Sequence, residues 1–151
     1  MKQIKRLKRE KVSLFLAAAV LSLGILSGCG GESKEAKEAR MTGIEQLNAG
    51  NYQDAIDSFG KALDESDGIV NSFELDVLKY RGEAEYKLAD YKAAAQTYGI
   101  LAEVDGGKAE YLYYKAASEA AAGQAEDAEK DFAAAEERRR TAKRAAPRLR
   151  G

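Results

Sequence analysis

The most informative part of the sequence is GEAEYKLADYKAAAQTY, residues 82–98, because its spacing occurs three times in the chain. A small residue is followed twelve positions later by another small residue, and four positions after that by an aromatic residue. Successive copies begin at positions 43, 82 and 116, and such self-similarity at a nearly constant period predicts a repeat architecture. The matched triplets are Gly43, Ala55 and Phe59, then Gly82, Ala94 and Tyr98, then Ala116, Ala128 and Phe132.

The sequence around these triplets favours helices. From Ala36 to about Thr141 the composition is dominated by Ala, Glu, Lys and Leu, and this segment contains no Pro. Glycine-containing breaks divide it into helices of about 12 to 17 residues. The breaks are at residues 49–51, 67–68, 105–107 and 122–124.

This helix-turn-helix pattern, with a period of about 34 residues between its last two copies, resembles the tetratricopeptide repeat (TPR) over positions 36–141. The small residues of each triplet would let the two helices of a unit approach closely, and the aromatic residue would fill the gap to the next unit. The resemblance implies an all-α fold. We therefore expect an α-solenoid of about three TPR-like helix-turn-helix units that ends in an extended basic C-terminal helix.

The chain departs from the TPR pattern in three ways, and its composition also suits a second fold. The large residue usual before the first small one is replaced by Thr42, Arg81 or Lys115, and no unit ends in Pro. Five extra residues around positions 68–72 either lengthen the first connection or start the second unit's first helix early. The alternative fold is an antiparallel helical bundle, which would not require the same spacing three times.

In TPR proteins the first helices of the units line a concave groove that takes a peptide or a partner's segment, and the resemblance implies such a groove here. The matching positions in this chain carry a mixture of charged and aromatic residues. The predicted groove residues are Arg40, Asn48, Lys79, Glu83, Tyr86, Lys87 and Tyr113.

The groove positions argue against one known mode of binding. Some members of the family hold a C-terminal carboxylate with Lys, Asn and Arg at defined groove positions. In this chain at most one of those positions carries a matching residue, so such a clamp is not expected. Of the clustered tyrosines, Tyr111 and Tyr114 are expected in the core between units, which leaves Tyr113 for binding. The clamp positions carry Arg40, Ile44, Tyr80, Glu110 and Tyr114.

The N-terminus has the pattern of an export signal. A basic segment precedes an uncharged apolar run over residues 12–26, which is too short for a typical membrane span of about 20 residues. Residues 26–29, Leu-Ser-Gly-Cys, resemble the lipobox of bacterial lipoproteins. The resemblance implies that residues 1–28 are removed and that Cys29 carries lipid; the alternative is a signal peptide with an incidental cysteine.

The remaining segments are assigned by composition and charge. Residues 29–35 are read as the lipidated cysteine and a short tether, 36–141 as the repeat domain and 142–151 as a basic tail. Residues 29–137 hold 11 basic and 24 acidic side chains, whereas residues 138–151 hold seven basic and no acidic ones. The basic end has three interpretations. It is a solvated helix cap, or it is weakly attracted to anionic lipid head groups or wall polymers, or it binds nucleic acid, which export disfavours.

The residue inventory excludes several kinds of site. The chain has no His and one Cys, so a Cys/His zinc site, a catalytic triad with His and a disulfide framework are all ruled out. Adjacent acids such as Glu126 and Asp127 on Ala-rich helices are typical of a solvated face rather than of an acid–base pair. The sequence therefore predicts no enzyme, no cofactor and no metal site.

The combined expectation is a membrane-anchored extracytoplasmic lipoprotein that acts as a protein interaction scaffold or adaptor through its repeat groove. The alternative is a structural or accessory subunit of an envelope assembly complex that uses the repeats for oligomerisation. The expected location is the extracytoplasmic face of a bacterial cell membrane, or the outer membrane if the cell has two. The partner is a protein or peptide, and the sequence does not identify it.

Overall fold

The computed structural model describes residues 32–66 and 70–146, and these residues form six α-helices. Residues 1–28 and Cys29, predicted to be the signal peptide and the lipidation site, lie outside the described residues. Within the described ranges, no helix is both long and apolar enough to cross a membrane. The helices are α1 (Lys34–Asn48), α2 (Tyr52–Asp64), α3 (Ser72–Lys87), α4 (Tyr91–Val104), α5 (Ala109–Ala121) and α6 (Ala125–Ala145).

The helices are arranged as three successive helix-turn-helix units. Each helix packs mainly on the next one in the chain, and a smaller contact joins α1 to α3, the first helices of two neighbouring units. This arrangement confirms the predicted all-α solenoid of TPR-like units and not the bundle alternative.

Local hydrogen bonds set where the first helices of the units begin. Ser33 Oγ accepts a hydrogen bond from the amide of Ala36 at 2.9 Å, so α1 begins at Lys34, two residues before the predicted start of the domain. At α3, Asn71 Oδ1 accepts from the amide of Phe73 at 2.7 Å, and Glu74 Oε2 accepts from the amide of Asn71 at 3.0 Å. This cap begins α3 at Ser72, ten positions before Gly82, whereas α5 begins seven positions before Ala116, so the extra residues both lengthen the connection between α2 and α3 and start α3 early.

The turn inside each unit uses the same backbone conformation. Gly50, Ala89 and Gly123 occupy equivalent positions and have φ angles of +81°, +66° and +80°. Glycine adopts this left-handed region without a steric penalty, whereas alanine does not. The three units therefore share one turn geometry even where the second has a non-glycine residue.

The repeated triplets form the contacts inside the units. A Cβ atom built at Gly43 would lie 2.6 Å from the ring of Phe59, and one at Gly82 would lie 2.9 Å from the ring of Tyr98. Only glycine therefore leaves room for these rings without movement of a neighbour.

The same rings also reach the next unit, as predicted for two of the three triplets. Phe59 stacks on Tyr80 with ring centroids 5.9 Å apart, and Tyr98 contacts Tyr114 at 5.1 Å. Phe132 does not fill an inter-unit gap as predicted, and its side chain is 41% exposed. The reason is that α6 is the last helix of the described residues, so no further helix covers this ring.

Candidate peptide-binding groove

A cavity of about 470 Å³ opens at the junction of the second and third units. Helix α3 provides one wall, the start of α5 provides the other, and one residue of α4 contributes between them. The lining residues are Asp76, Lys79, Tyr80, Glu83, Tyr98, Glu110 and Tyr114.

Helical spacing brings these side chains together. The four residues from α3 are separated by three, one and three positions, so they share one face of the helix. Glu110 and Tyr114 are four positions apart on α5 and face the same way. The cavity is thus formed by two first helices of adjacent units, which is the surface that the TPR resemblance predicted.

Tyr98 lies deepest among the lining residues. It is only 7% exposed, and the hydroxyl-bearing end of its ring lies over Gly82. Within residues 32–66 and 70–146 its hydroxyl group has no hydrogen-bond partner. Burial raises the pKa of Tyr98 far above its usual range, and the nearby carboxylate of Glu83 adds to the effect. The hydroxyl therefore stays protonated and can both donate and accept a hydrogen bond to an occupant of the cavity.

Tyr114 forms the outer side of the same aromatic surface. Its ring contacts that of Tyr98 between the two units, as predicted, but Tyr114 is 45% exposed, so the prediction that it is buried in the core was wrong. Burial raises the pKa of Tyr114, and the carboxylates of Glu110 and Glu83 raise it further. The two rings and the two carboxylates thus combine apolar contact area with negative charge.

Arg40 occupies the corresponding place at the first junction. Its Nε and Nη2 atoms lie 2.7 and 2.5 Å from Asp76 Oδ2, and its guanidinium carbon lies 5.6 Å from the centroid of the Tyr80 ring. This predicted groove residue is therefore already engaged by a carboxylate and an aromatic ring of the next unit.

The other predicted groove residues are only partly brought together. Lys79 and Glu83 line the cavity. Asn48 is the last residue of α1, and Tyr86 contacts Tyr91 across the turn between α3 and α4, with ring centroids 5.2 Å apart. Lys87 pairs with Glu83 at 3.6 Å on the surface of α3.

Tyr113 is placed away from this cavity. Its hydroxyl group donates a hydrogen bond to Glu136 of α6, and its ring lies 6.2 Å from that of Phe132. The hydrogen bond to Glu136 raises the pKa of Tyr113, and burial adds to it. Tyr113 therefore joins the helices of the third unit, while Tyr114, which sequence reasoning placed in the core, faces the cavity together with Tyr98. The sequence did contain a signal for this placement. Tyr80 and Tyr114 are separated by the same number of positions as Gly82 and Ala116, so they occupy equivalent positions in the second and third units.

The basic C-terminal segment continues α6 as far as Ala145. Arg138 Nη1 donates to the carbonyl oxygen of Gly107 at 2.5 Å, which docks this arginine on the loop between α4 and α5. Arg139 pairs with Glu136 at 2.9 Å. The predicted pair of Glu137 with Arg140 is present at 3.8 Å. The last turns of α6 therefore have a cation-rich surface.

Among the described residues, no group of three or more acidic, cysteine or histidine side chains is arranged to hold a metal ion.

Comparison with known proteins supports the fold. The sequence matches no protein-family model and no curated protein. Among solved structures, it is similar to PcrH in complex with the chaperone binding region of PopB, at 22% identity and a TM-score of 0.56, over 70% of this chain and 82% of that one. It is also similar to the first TPR of Spaghetti (RPAP3) bound to the HSP90 peptide SRMEEVD, at 21% identity and a TM-score of 0.58, over 73% of this chain and 83% of that one. These likenesses establish the TPR-like helical repeat fold.

Proposed function

We propose that this chain is a membrane-anchored extracytoplasmic lipoprotein that binds an extended segment of a partner protein in the groove between its units. The observation that carries the proposal is the open cavity between α3 and α5, where the hydroxyl group of Tyr98, the deepest lining residue, has no hydrogen-bond partner in the part of the chain that the structure describes. The two similar structures described above each contain a bound protein segment, which supports a binding rather than a catalytic role.

The groove chemistry favours contact with side chains over capture of a chain terminus. Tyr80, Tyr98 and Tyr114 offer rigid aromatic surface at a low entropic penalty. Glu83 and Glu110 add negative charge to the same cavity, so a terminal carboxylate would be repelled. The proposed partner segment is therefore recognised by its side chains.

The anchor is proposed from the lipobox-like residues 26–29. A lipid on Cys29 would hold the repeat units close to the membrane, since α1 begins at Lys34. Arg140, Lys143 and Arg144 are exposed on α6 and would add weak attraction to anionic lipid. Such attraction is expected to fade at physiological salt, because the Debye length there is about 8 Å.

The alternative is a structural or accessory subunit of an envelope assembly complex that uses its repeats for oligomerisation. The observation that favours it is the exposed ring of Phe132 on the last helix, at the position where Phe59 and Tyr98 contact the next unit. A second copy packing on this ring would extend the solenoid. Sedimentation of the wild-type chain and of Phe132→Ser separates the two functions, since only the structural role predicts an oligomer that the substitution dissociates.

The test of groove binding is site-specific photocrosslinking in the cell that makes the protein. A photoreactive phenylalanine at position 114 should yield one discrete adduct, whereas the same group at position 129, which is exposed on α6, should not. Glu83→Arg, which places a bulky cation in the groove, should abolish the adduct at position 114. Equal adducts at both positions, or an adduct that survives Glu83→Arg, would contradict binding in the groove.

A further inference from the structure

The two junctions between units are built from equivalent residues. Arg40 and Lys79 both lie on the first helix of a unit, and their offset in sequence is the offset between the first two units. The carboxylates of Asp76 and Glu110 are separated by the offset between the second and third units, and so are the rings of Tyr80 and Tyr114. The two equivalent sets are Arg40, Asp76 and Tyr80 at the first junction, and Lys79, Glu110 and Tyr114 at the second.

The first junction is filled by the chain's own arginine. Arg40 is held between the Asp76 carboxylate, at 2.5 Å, and the face of the Tyr80 ring, at 5.6 Å. A guanidinium suits such a site because it is planar, donates along its edge and stacks on an aromatic face. The chain itself therefore shows which side chain this arrangement holds.

The second junction has the same ring and carboxylate but is not filled. Lys79 lines the cavity without an ion pair to any described residue, and Glu110 also has none. Two features are added there. One is the carboxylate of Glu83, which also pairs with Lys87 at 3.6 Å, and the other is the hydroxyl group of the largely buried Tyr98, which has no hydrogen-bond partner among the described residues. The cavity therefore repeats the arginine site with Lys79 in place of Arg40, and the Glu110 carboxylate there has no ion pair among the described residues.

We propose that this second-junction cavity is an arginine pocket, which takes one arginine side chain from the partner segment. This assignment rests on the proposed binding function and specifies its chemistry. The guanidinium would stack on Tyr114, donate to Glu110 and Glu83, and donate to the Tyr98 oxygen atom. Arginine is preferred over lysine because a compact ammonium group cannot stack on the ring and donate to both carboxylates at once.

The test uses a fragment that isolates this chemistry. The full chain, labelled with nitrogen-15 in a non-ionic detergent, is titrated with N-acetyl-arginine methylamide and followed by amide NMR spectra. Saturable shifts are expected at Gly82, Tyr98 and Glu110. N-acetyl-citrulline methylamide has the same shape without the charge and should bind about ten-fold more weakly or worse, because the charge-assisted hydrogen bonds become neutral ones.

Three variants distinguish the pocket from general attraction of cations. Lys79→Arg should fill the pocket with the chain's own guanidinium, as Arg40 does at the first junction, and should abolish the shifts. Glu110→Gln should weaken binding about ten-fold. Glu129→Gln removes the same charge from an exposed position on α6 and should leave the affinity unchanged.

Several results would overturn the pocket. Equal binding of arginine and citrulline fragments, or an unchanged affinity in Lys79→Arg, would show that the cavity does not recognise a guanidinium. Preference for N-acetyl-glutamate methylamide would indicate an acidic occupant on Lys79. Shifts at the same amides that grow with protein concentration in the absence of fragment would show that a second copy of this chain, and not a partner segment, occupies the cavity. If the fragment fails while the adduct at position 114 forms, only the arginine pocket is wrong; if the adduct also fails, both proposals are.

Discussion

The hydroxyl group of Thr97 donates a hydrogen bond to Glu85 Oε2 at 2.6 Å, and both side chains are buried between α3 and α4. The first unit has the same contact, in which Ser58 Oγ donates to Gln46 Oε1 at 2.6 Å. In the third unit Lys115 bridges Glu119 and Asp131, the residues at those positions. Each unit therefore joins its two helices through polar side chains at the same two positions, directly in the first two units and through Lys115 in the third.

Removal of the Thr97 hydroxyl group should destabilise the protein. Thr97→Val keeps the shape but leaves Glu85 Oε2 buried without this donor, which is expected to lower the free energy of unfolding by about 1 to 3 kcal/mol. Ser58→Ala, the equivalent change in the first unit, should have a smaller effect because Gln46 is half-exposed and can bind water. Urea unfolding followed by circular dichroism measures both, and a larger loss in Ser58→Ala would contradict the assignment.

Glu119 should make stability depend on pH. Burial raises its pKa above the ordinary value of 4.5, the Lys115 hydrogen bond opposes the shift, and the Asp131 carboxylate adds to it. Because the folded state holds the proton more tightly than the unfolded state, this carboxyl group contributes less to stability as pH rises from 4.5 through the raised pKa.

The Glu119→Gln variant tests this dependence. Its unfolding free energy relative to the wild type should increase as pH rises across that window. Chemical unfolding at a series of pH values measures the difference. Glu129→Gln should show no such trend, since Glu129 is exposed, and the same slope in both variants would rule out a specific role of Glu119.

Two helical glycines should respond in opposite directions to alanine. Alanine favours a helix over glycine by about 1 kcal/mol, so Gly60→Ala in α2 should raise the melting temperature, because apart from the adjacent backbone of α2 no atom of the described residues lies within 4 Å of the added Cβ. Gly43→Ala would place its Cβ 2.6 Å from the Phe59 ring. Overpacking there should destabilise the protein by about 1 to 3 kcal/mol and outweigh the gain in propensity. A raised melting temperature in Gly43→Ala would contradict the close packing of the first unit.

The anchor is tested at Cys29. If this residue carries lipid, Cys29→Ser should abolish incorporation of a labelled fatty acid and release the chain from the membrane fraction. Release is expected because a short basic patch alone does not anchor a protein stably. Neutralising the seven basic residues from 138 onward is the matched control and should leave the label in place. Labelled fatty acid on the serine variant would exclude Cys29 as the lipidation site.

The repeat fold was predictable because the contacts that define it lie close together in sequence. Gly43 meets Phe59, and Gly82 meets Tyr98, within a single helix-turn-helix unit, so the spacing of residue types reports the contact directly. The helix bounds were less predictable. The cap at Ser33 begins α1 within the predicted tether. The Asn71 cap sets the first residue of α3, and therefore how the extra residues are divided between the connection and the helix.

The sequence by itself determined that the chain forms three helix pairs and that their first helices present charged and aromatic side chains. Only the tertiary structure decided which side chains share a site, because adjacent helical residues point about 100° apart and the packing of whole units sets that rotation. For that reason Tyr114 faces the cavity while Tyr113 binds Glu136. The pairing of Arg40 with Asp76, and the open equivalent position beside Glu110, likewise depend on how one unit packs on the next, which the spacing within a unit does not encode.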